Sequence, residues 1–317
     1  MEDKTPFDTF SKNRIYRTNV YKGKEIGGYN VACWGILVVP KSWCNSCWSW
    51  ILILVPSIVQ LTMINPAFPS YEIVLDIAYV ISLLVTLLSL CLTTFTDPGI
   101  IPREDPEEQR RQLRNIFLAV DEEAEYDHVT VVKGKEILCQ KCRTCSIYRP
   151  PRSFHCSDCQ ACIEVHDHHC PWVGNCVGKR NHRYFLSFAV LTTIHSTLTA
   201  SIDLVFILDK LYTVKKNGDY TANHIVSIVM MVYCCAIICC LSGLSCYHGK
   251  LACCGMTTNE DLRGRYDKGN LYDDGCSHNC RNFCYGGASR VTYANYDLEI
   301  VAKIEPNLFI IKPKITV

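Results

Sequence analysis

Four long apolar segments recur along the chain, separated by polar stretches that carry most of the Lys and Arg residues. A helix needs about 20 predominantly apolar residues to cross the hydrocarbon core of a bilayer. Residues 48–64, 73–95, 184–208 and 225–246 meet or nearly meet this length. The first is the shortest and contains Pro56, and a further apolar stretch precedes it. The pattern predicts an α-helical integral membrane protein with four transmembrane helices.

The polar stretches set the expected orientation of these helices. Residues 65–72, between the first two segments, contain no Lys or Arg, whereas residues 97–183 are rich in both. Positively charged loops stay on the cytosolic side of a membrane. Both termini and the region between the second and third segments are therefore expected in the cytosol.

These boundaries divide the chain into six parts. We expect a cytosolic N-terminal segment at residues 1–47, transmembrane helices 1 and 2 at 48–95, a cytosolic linker at 96–138, a cysteine-rich domain at 139–183, transmembrane helices 3 and 4 at 184–246, and a cytosolic C-terminal tail at 247–317.

Composition narrows the function classes. The chain has 317 residues, a net charge of +1 and 22 cysteines. So small a net charge argues against a nucleic-acid partner, and a chain of this length in the cytosol is not a small disulfide scaffold. The cysteines therefore need another explanation. Eight of them lie between Cys139 and Cys176, together with four histidines.

Most of these cysteines and histidines obey an internal repeat of fourteen positions. Each unit reads C-x2-C-x9-H-x6-C and supplies three thiolates and one imidazole, which is the ligand set of a closed tetrahedral zinc site. The first unit consists of Cys142, Cys145, His155 and Cys162, and the second of Cys156, Cys159, His169 and Cys176. The repeat predicts two structural Zn²⁺ ions.

The repeat leaves Asp167, His168 and Cys170 outside both units. A cysteine beside a histidine can form a thiolate at neutral pH, and an aspartate can orient the imidazole and stabilise its charged form. These residues shortly precede the third apolar segment, so we expect the nucleophile at the bilayer surface. Such a thiolate suits thioester exchange with a long-chain acyl-CoA, whose chain gains about 0.8 kcal/mol for each methylene buried among helices.

The run Asp167-His168-His169-Cys170 is embedded in the patterns C-x2-C, R-P-P-R, H-C-x2-C-x2-C, P-W-V-G-N-C-V-G and N-x3-F. This arrangement closely resembles the DHHC-type protein S-acyltransferases, four-helix membrane enzymes with a cytosolic zinc domain. The resemblance implies that palmitoyl-CoA or a similar acyl-CoA acylates Cys170, which then passes the acyl group to a cysteine of a membrane-associated protein. It makes His168 the base, Asp167 its orienting partner and His169 a zinc ligand.

Three further motifs extend the resemblance. Residues 97–99 look like the D-P-G motif of the family, and Thr257, Thr258 and Glu260 like its T-T-x-E motif. Asn279 matches a short C-terminal motif, in which Leu271 stands where many members have proline.

The sequence around the D-P-G and T-T-x-E motifs is similar to the branch that acylates Ras-type proteins. That branch implies Ras-like GTPases as substrates, an accessory subunit, and the membrane of the Golgi or endoplasmic reticulum.

Each of these features also has a purely structural interpretation. The zinc block could be a catalytically silent scaffold that recruits membrane proteins, because most C-x2-C arrays are structural. Residues 257–260 also read as a helix capping box, and residues 97–99 as a turn. Lys179, Arg180 and Arg183 could bind CoA phosphates or simply flank the third span.

The sequence leaves the roles of several other cysteines open. Cys139 lies outside the repeat and is expected to be an ordinary thiol. Five others near the cytosolic membrane face are either palmitoylation sites or generic thiols, namely Cys253, Cys254, Cys276, Cys280 and Cys284.

Overall fold

The computed structural model describes residues 25–26, 28–32, 37–101, 126–145, 147–217, 222–266, 269–285 and 309–313. Most of the expected N-terminal segment, more than half of the expected linker and part of the expected tail lie outside these residues. The helices are α1 (Trp43–Ala67), α2 (Glu72–Phe95), α3 (His182–Asn217), α4 (Ala222–Cys253), α5 (Thr258–Leu262) and α6 (Cys276–Tyr285).

Four of these helices are long and apolar enough to cross a membrane. They are α1, α2, residues His182–Asp209 of α3, and α4. Many of their large apolar side chains face outward and are exposed, as expected of surfaces that contact lipid; examples are Ile58, Ile73, Leu88, Ile194 and Val232. The four predicted spans are confirmed. All four extend beyond the predicted bounds, α2 by a single residue. In α3 and α4, polar residues such as His182 and His248 continue the helices past their apolar centres.

The first span remains helical despite Pro56. Proline lacks an amide hydrogen, so the carbonyl of the residue four positions earlier loses its helical donor. In this helix that carbonyl belongs to Leu52, and the Tyr233 hydroxyl of α4 donates to it at 2.7 Å. A neighbouring span therefore satisfies the freed backbone group, which is how proline is tolerated within a membrane.

The strands are short and antiparallel. They are β1 (Glu25–Ile26), β2 (Tyr29–Ala32), β3 (Leu37–Pro40), β4 (Ile100–Ile101), β5 (Tyr126–Val132), β6 (Lys135–Cys139), β7 (Lys141–Cys142), β8 (Ile147–Tyr148), β9 (Phe154–Cys156), β10 (Ala161–Ile163), β11 (His168–Cys170), β12 (Asn175–Val177) and β13 (Phe309–Pro313). They form the sheets β1-β2-β3, β4-β10-β9 and β13-β5-β6, and the hairpins β7-β8 and β11-β12.

Two buried asparagines fix the β11-β12 hairpin to the end of α2. The Asn175 side-chain amide donates to the Thr94 and Thr96 carbonyls at 2.9 and 3.2 Å, and that of Asn181 donates to the Thr93 carbonyl at 3.1 Å. The last carbonyls of a helix have no partner within it, so these contacts satisfy groups that would otherwise be unpaired. The cysteine-rich domain is thereby held against the membrane helices.

Candidate active site

The β11-β12 hairpin sends the two adjacent histidines to opposite faces. Successive strand residues alternate in direction, so His169 points away from the face shared by His168 and Cys170. His169 lies directly opposite Cys176 in the hairpin register. One face therefore completes a metal cluster, and the other presents the remaining histidine and cysteine to the helices.

Asp167 is the buried centre of the second face. It is 1% exposed, and its Oδ2 accepts a hydrogen bond from His168 Nδ1 at 2.6 Å. Its Oδ1 accepts from the Thr258 amide at 2.7 Å, and His182 Nε2 lies 3.8 Å from the same oxygen. The bond to Nδ1 leaves Nε2 of His168 for the Cys170 sulfur, which lies on the same face of the strand.

The electrostatics favour the charged forms of Asp167 and His168. Burial alone would raise the pKa of Asp167, but His182, His168 and the Thr258 amide hold it well below its usual range. Burial opposes the charged imidazole, yet the hydrogen bond to Asp167 and the nearby Cys170 sulfur raise the pKa of His168 to about 9. The Asp167–His168 pair is thus a charge-assisted hydrogen bond in a largely water-excluded place.

Cys170 lies where the cysteine-rich domain meets the membrane helices. It is 5% exposed and packs in one apolar cluster with Ile53 of α1, Leu90 of α2, and Phe185 and Phe188 of α3. His168 also contacts Phe185, with ring centroids 5.1 Å apart. The sulfur is therefore bounded by polar groups on one side and by the apolar interior of the helices on the other.

The turn of the hairpin rests on the start of α1. The Ser49 hydroxyl donates to the Trp172 carbonyl at 2.6 Å, and the Ser42 hydroxyl donates to the Gly174 carbonyl at 2.9 Å. Trp172, Trp43 and Trp48 are all exposed around this contact. Tryptophan is enriched at membrane–water interfaces, so these three exposed side chains are consistent with a hairpin at the bilayer surface.

The first predicted ligand set is brought together by two hairpins. The His155 Nδ1 atom lies 3.5, 3.4 and 3.7 Å from the sulfurs of Cys142, Cys145 and Cys162. A tetrahedral zinc with bonds of about 2.3 Å to sulfur and about 2.0 Å to nitrogen needs separations of roughly 3.5 Å. All four ligand atoms lie within 4.8 Å of one another. The donor set and its spacing fit one zinc ion.

The second predicted ligand set has the same form. His169 Nδ1 lies 3.8, 3.4 and 3.7 Å from the sulfurs of Cys156, Cys159 and Cys176. His155 and Cys156 are consecutive residues of β9, and they point to different clusters. The two sites are therefore linked through one strand.

The T-T-x-E segment is both a capping box and a brace for Asp167. The Thr257 side chain accepts from the Glu260 amide, and the Glu260 carboxylate accepts from the Thr257 amide at 2.9 Å. The same turn points the Thr258 amide at Asp167. The two interpretations of this motif are thus compatible, because the cap fixes the turn that supplies the hydrogen bond.

Arg152, from R-P-P-R, ties this turn back to the cysteine-rich domain. Its guanidinium donates to both oxygens of Glu260 at 2.7 and 2.6 Å and to the Gly255 carbonyl at 2.9 Å. It also stacks over the Tyr272 ring at 4.6 Å. This buried bidentate pair fixes the turn without touching Cys170.

The D-P-G motif forms a turn at the end of α2. The Asp97 Oδ1 atom accepts from the amides of Gly99 and Ile100, both at 2.8 Å. Arg180 pairs with Asp97, and Lys179 with Glu164. Arg183 donates to the Cys284 carbonyl. These contacts favour structural roles for the turn and for the three basic residues.

Sequence reasoning did not assign several residues that surround the site. His182 and His248 are buried beside Asp167 and His168, and His182 Nε2 lies 3.0 Å from His248 Nδ1. His166 is also buried, with Nε2 3.8 Å from the Cys176 sulfur. The sequence shows His182 and His248 only as histidines at the polar ends of two spans, and that position does not indicate which residues they contact.

Asn279 has a structural place. It is buried, and its side-chain amide donates to the Cys253 carbonyl at the end of α4 at 2.8 Å. Cys139 is buried in β6 outside both zinc clusters, and burial raises its pKa to about 11. It therefore has the character of an ordinary buried thiol.

Residues 135–265 match the family model described as DHHC palmitoyltransferase. This region contains both metal clusters, the β11-β12 hairpin, α3, α4 and the T-T-x-E turn. The resemblance seen in the sequence is thus confirmed over this part of the chain.

Curated relatives agree with the domain match. The chain is 38% identical over 200 residues to Palmitoyltransferase ZDHHC8 of Drosophila melanogaster, an alignment that covers 63% of this chain and 20% of that protein. It is 35% identical over 231 residues to Palmitoyltransferase ZDHHC5 of Bos taurus and 34% identical over 232 residues to Palmitoyltransferase ZDHHC5 of Homo sapiens. Each of these two alignments covers 72% of this chain and 29% of the relative. The chain thus spans less than a third of the relatives' length.

Proposed function

We propose, from the DHHC palmitoyltransferase domain that this chain contains at residues 135–265, that the protein is an acyl-CoA-dependent protein S-acyltransferase. Cys170 is the acylated nucleophile, His168 is its base, and Asp167 orients His168. The acyl group, palmitoyl or one of similar length, passes from Cys170 to cysteines of membrane-associated proteins.

The location of Cys170 carries this proposal. Its sulfur lies between a hydrogen-bonded His168–Asp167 pair and an apolar cluster built from three membrane helices. A thioester carbonyl can reach the sulfur from the polar side while its alkyl chain lies among the helices. Burial of that chain stabilises the complex by about 0.8 kcal/mol for each methylene.

The residues around Cys170 account for both transfer steps. In the first, the Cys170 thiol proton moves to His168, whose charged form the hydrogen bond to Asp167 stabilises. The sulfur then attacks the acyl carbonyl, the bond between that carbonyl and the CoA sulfur breaks, and CoA leaves as a thiol with the proton that His168 held. In the second, a substrate cysteine gives its proton to His168 and attacks the new thioester, and Cys170 leaves and takes that proton back from His168. Asp167 holds the imidazole through Nδ1, so that the other ring nitrogen faces the sulfur.

The metal clusters contribute position rather than chemistry. Closed sites of three thiolates and one imidazole fix the polypeptide where strands are only two or three residues long. Cys142, Cys145, His155 and Cys162 hold one Zn²⁺, and Cys156, Cys159, His169 and Cys176 hold the other. His169 and Cys176 face each other across the hairpin that carries Cys170.

Release of CoA from palmitoyl-CoA tests the proposal. Wild type, Cys170→Ala and Cys139→Ala would be purified in detergent, and zinc content would be measured on the same samples. Cys139 is the matched control, because it is a buried cysteine of the same domain outside both clusters. We expect CoA release and a hydroxylamine-sensitive acyl adduct from wild type and Cys139→Ala only, at equal zinc.

Three outcomes would contradict the proposal. Equal CoA release by wild type and Cys170→Ala would exclude Cys170 as the nucleophile, and zinc loss in Cys170→Ala would show that the ligand assignment is wrong. No release by either protein, with intact zinc, would favour the alternative of a catalytically silent scaffold.

The finer assignments rest on the resemblance to the Ras-directed branch. On that basis we propose Ras-like GTPases with juxtamembrane cysteines as substrates, an accessory subunit, and a Golgi or endoplasmic reticulum location with the catalytic domain and both termini in the cytosol. Protease protection of tagged termini in sealed microsomes tests the orientation. Acylation of purified Ras, with and without co-expressed candidate subunits, tests the partners.

A further inference from the structure

Three cysteines outside the zinc domain come together where the last span meets the tail. Cys253 is the last residue of α4, and Cys276 and Cys280 lie on α6. Their sulfurs all lie within 4.8 Å of one another, and those of Cys253 and Cys280 are 3.5 Å apart. We propose that Cys253, Cys276 and Cys280 form a third metal site for a thiophilic ion, Zn²⁺ or Cu⁺.

The sulfur separations match those of the two zinc clusters. The Cys159 and Cys176 sulfurs of the second cluster are 3.4 Å apart. A tetrahedral ion with metal–sulfur bonds of about 2.3 Å needs separations of roughly 3.8 Å. Soft thiolate ligands select Zn²⁺ and Cu⁺ over harder cations. Three thiolates leave Zn²⁺ one position for water and provide Cu⁺ with a trigonal site.

Two helix ends make this place electrostatically suitable for a cation with thiolate ligands. Cys253 lies at the C-terminus of α4, where the unpaired carbonyls carry partial negative charge that favours a cation. Cys276 begins α6, where partial positive charge favours a thiolate. Cys276 and Cys280 are four residues apart and therefore lie on one face of that helix.

Partly buried hydrogen bonds position the sulfurs before any ion binds. The Asn279 amide, between the two α6 cysteines, donates to the Cys253 carbonyl at 2.8 Å and to Asp273 at 2.7 Å. The Asn270 amide donates to the next carbonyl, that of Cys254, at 2.7 Å. Since these contacts already seat α6 against the end of α4, metal binding needs little reorganisation.

An ion at this site would fasten the tail to the membrane end of the active site. The α6 helix also contacts the start of α3, where Arg183 donates to the Cys284 carbonyl at 2.8 Å and the His182 and Phe283 rings are 4.9 Å apart. His182 is one of the groups beside Asp167. The proposed role of this site is therefore structural: the three cysteines bind a metal ion taken from solution, and the bound ion holds α6 in place.

Metal content per chain tests the site. Full-length wild type, Cys276→Ser and Cys284→Ser would be treated with neutral hydroxylamine and a phosphine reductant, incubated with Zn²⁺ or Cu⁺, desalted and analysed by inductively coupled plasma mass spectrometry. Cys276 is exposed at the start of α6, so serine there disturbs no packing. Cys284 is an exposed cysteine one turn after Cys280 and outside the cluster.

We expect wild type and Cys284→Ser to hold one more ion per chain than Cys276→Ser, and the two incubations identify the ion. Cys280→Ser is expected to lose the same single ion and to keep the other two. Equal metal content in wild type, Cys276→Ser and Cys280→Ser would overturn the proposal and leave these cysteines as thiols available for acylation or oxidation.

Discussion

At the scale of single residues, the direction of each side chain in the β11-β12 hairpin decides its chemistry. His168 and His169 are chemically identical neighbours, yet one contacts Asp167 and the other faces three cysteine sulfurs. Their different surroundings follow from strand alternation, since a shift of one residue would exchange the two faces. The metal ligand and the base therefore cannot be exchanged without moving the hairpin.

The backbone amide of Thr258 is expected to matter more than its side chain. Thr258→Pro removes the N–H that donates to Asp167, and position 258 begins α5, where proline fits the helix. Thr257 is already extended, as a residue before proline must be. A lost hydrogen bond to a charged group is worth about 1.5–3 kcal/mol, so CoA release should fall roughly 10- to 100-fold.

Thr258→Ala is the matched control, because it keeps the amide. We expect its rate to stay within a few-fold of wild type, with equal zinc in all three proteins. Equal rates for the proline and alanine variants would mean that the amide does not orient Asp167.

At the scale of secondary-structure elements, the hairpin turn depends on close contact with α1. Gly174 has φ +63°, and a Cβ at this position would lie 2.8 Å from the Ser42 carbonyl oxygen. Only glycine adopts the positive φ without strain and also avoids the clash with the Ser42 carbonyl oxygen. The contact sets how far the Cys170 strand lies from the membrane helices.

Gly174→Ala is expected to displace the hairpin and reduce acylation of Cys170 at least tenfold, while both zinc ions remain bound. Gly134→Ala is the matched control, because Gly134 also has positive φ, +75°, but has open space around its Cβ position. It incurs only the backbone strain of about 1–2 kcal/mol. Acylation and zinc content would be measured together, and similar losses of acylation in both variants would argue against the contact.

The brace between the R-P-P-R and T-T-x-E segments should behave as a buried ion pair. Arg152→Met leaves the Glu260 carboxylate buried without its partner, which typically costs about 3–5 kcal/mol. The double variant Arg152→Met/Glu260→Gln removes the charge and keeps a capping side chain. We expect thermal unfolding in detergent to rank the double variant above Arg152→Met and below wild type. A double variant less stable than Arg152→Met would refute the pair.

These elements also show which features the sequence could predict. Both ligand sets follow from short spacings, and the four spans follow from apolar length, because each signal is local. Arg152 and Glu260 are separated by 108 positions, so no pattern could pair them. The hydrogen bond from the Tyr29 hydroxyl to Asn175, at 3.1 Å across 146 positions, could not be predicted from the sequence for the same reason. Buried polar contacts between distant segments depend on the tertiary fold, which spacing does not encode.

At the scale of the whole molecule, the two zinc sites should behave as one unit while the spans stay independent. Consecutive residues of β9 serve different sites, and the second site completes the hairpin that carries Cys170. Loss of either zinc ion therefore frees a strand that also carries a ligand of the other zinc ion. The spans have their own apolar surfaces and lipid contacts, so their helical structure does not rely on zinc.

Chelator titration of full-length Cys276→Ser, which removes the proposed third site, tests this coupling. We expect both ions to leave in a single transition, because metal binding supplies folding energy to the domain. Alkylation of Cys139 should rise in the same transition, since burial and a pKa raised to about 11 protect this thiol in the folded state. Helical circular dichroism should change little. Release of the ions in two separate steps, with Cys139 exposed only in the second, would show that the sites fold independently and that the shared strand does not couple them.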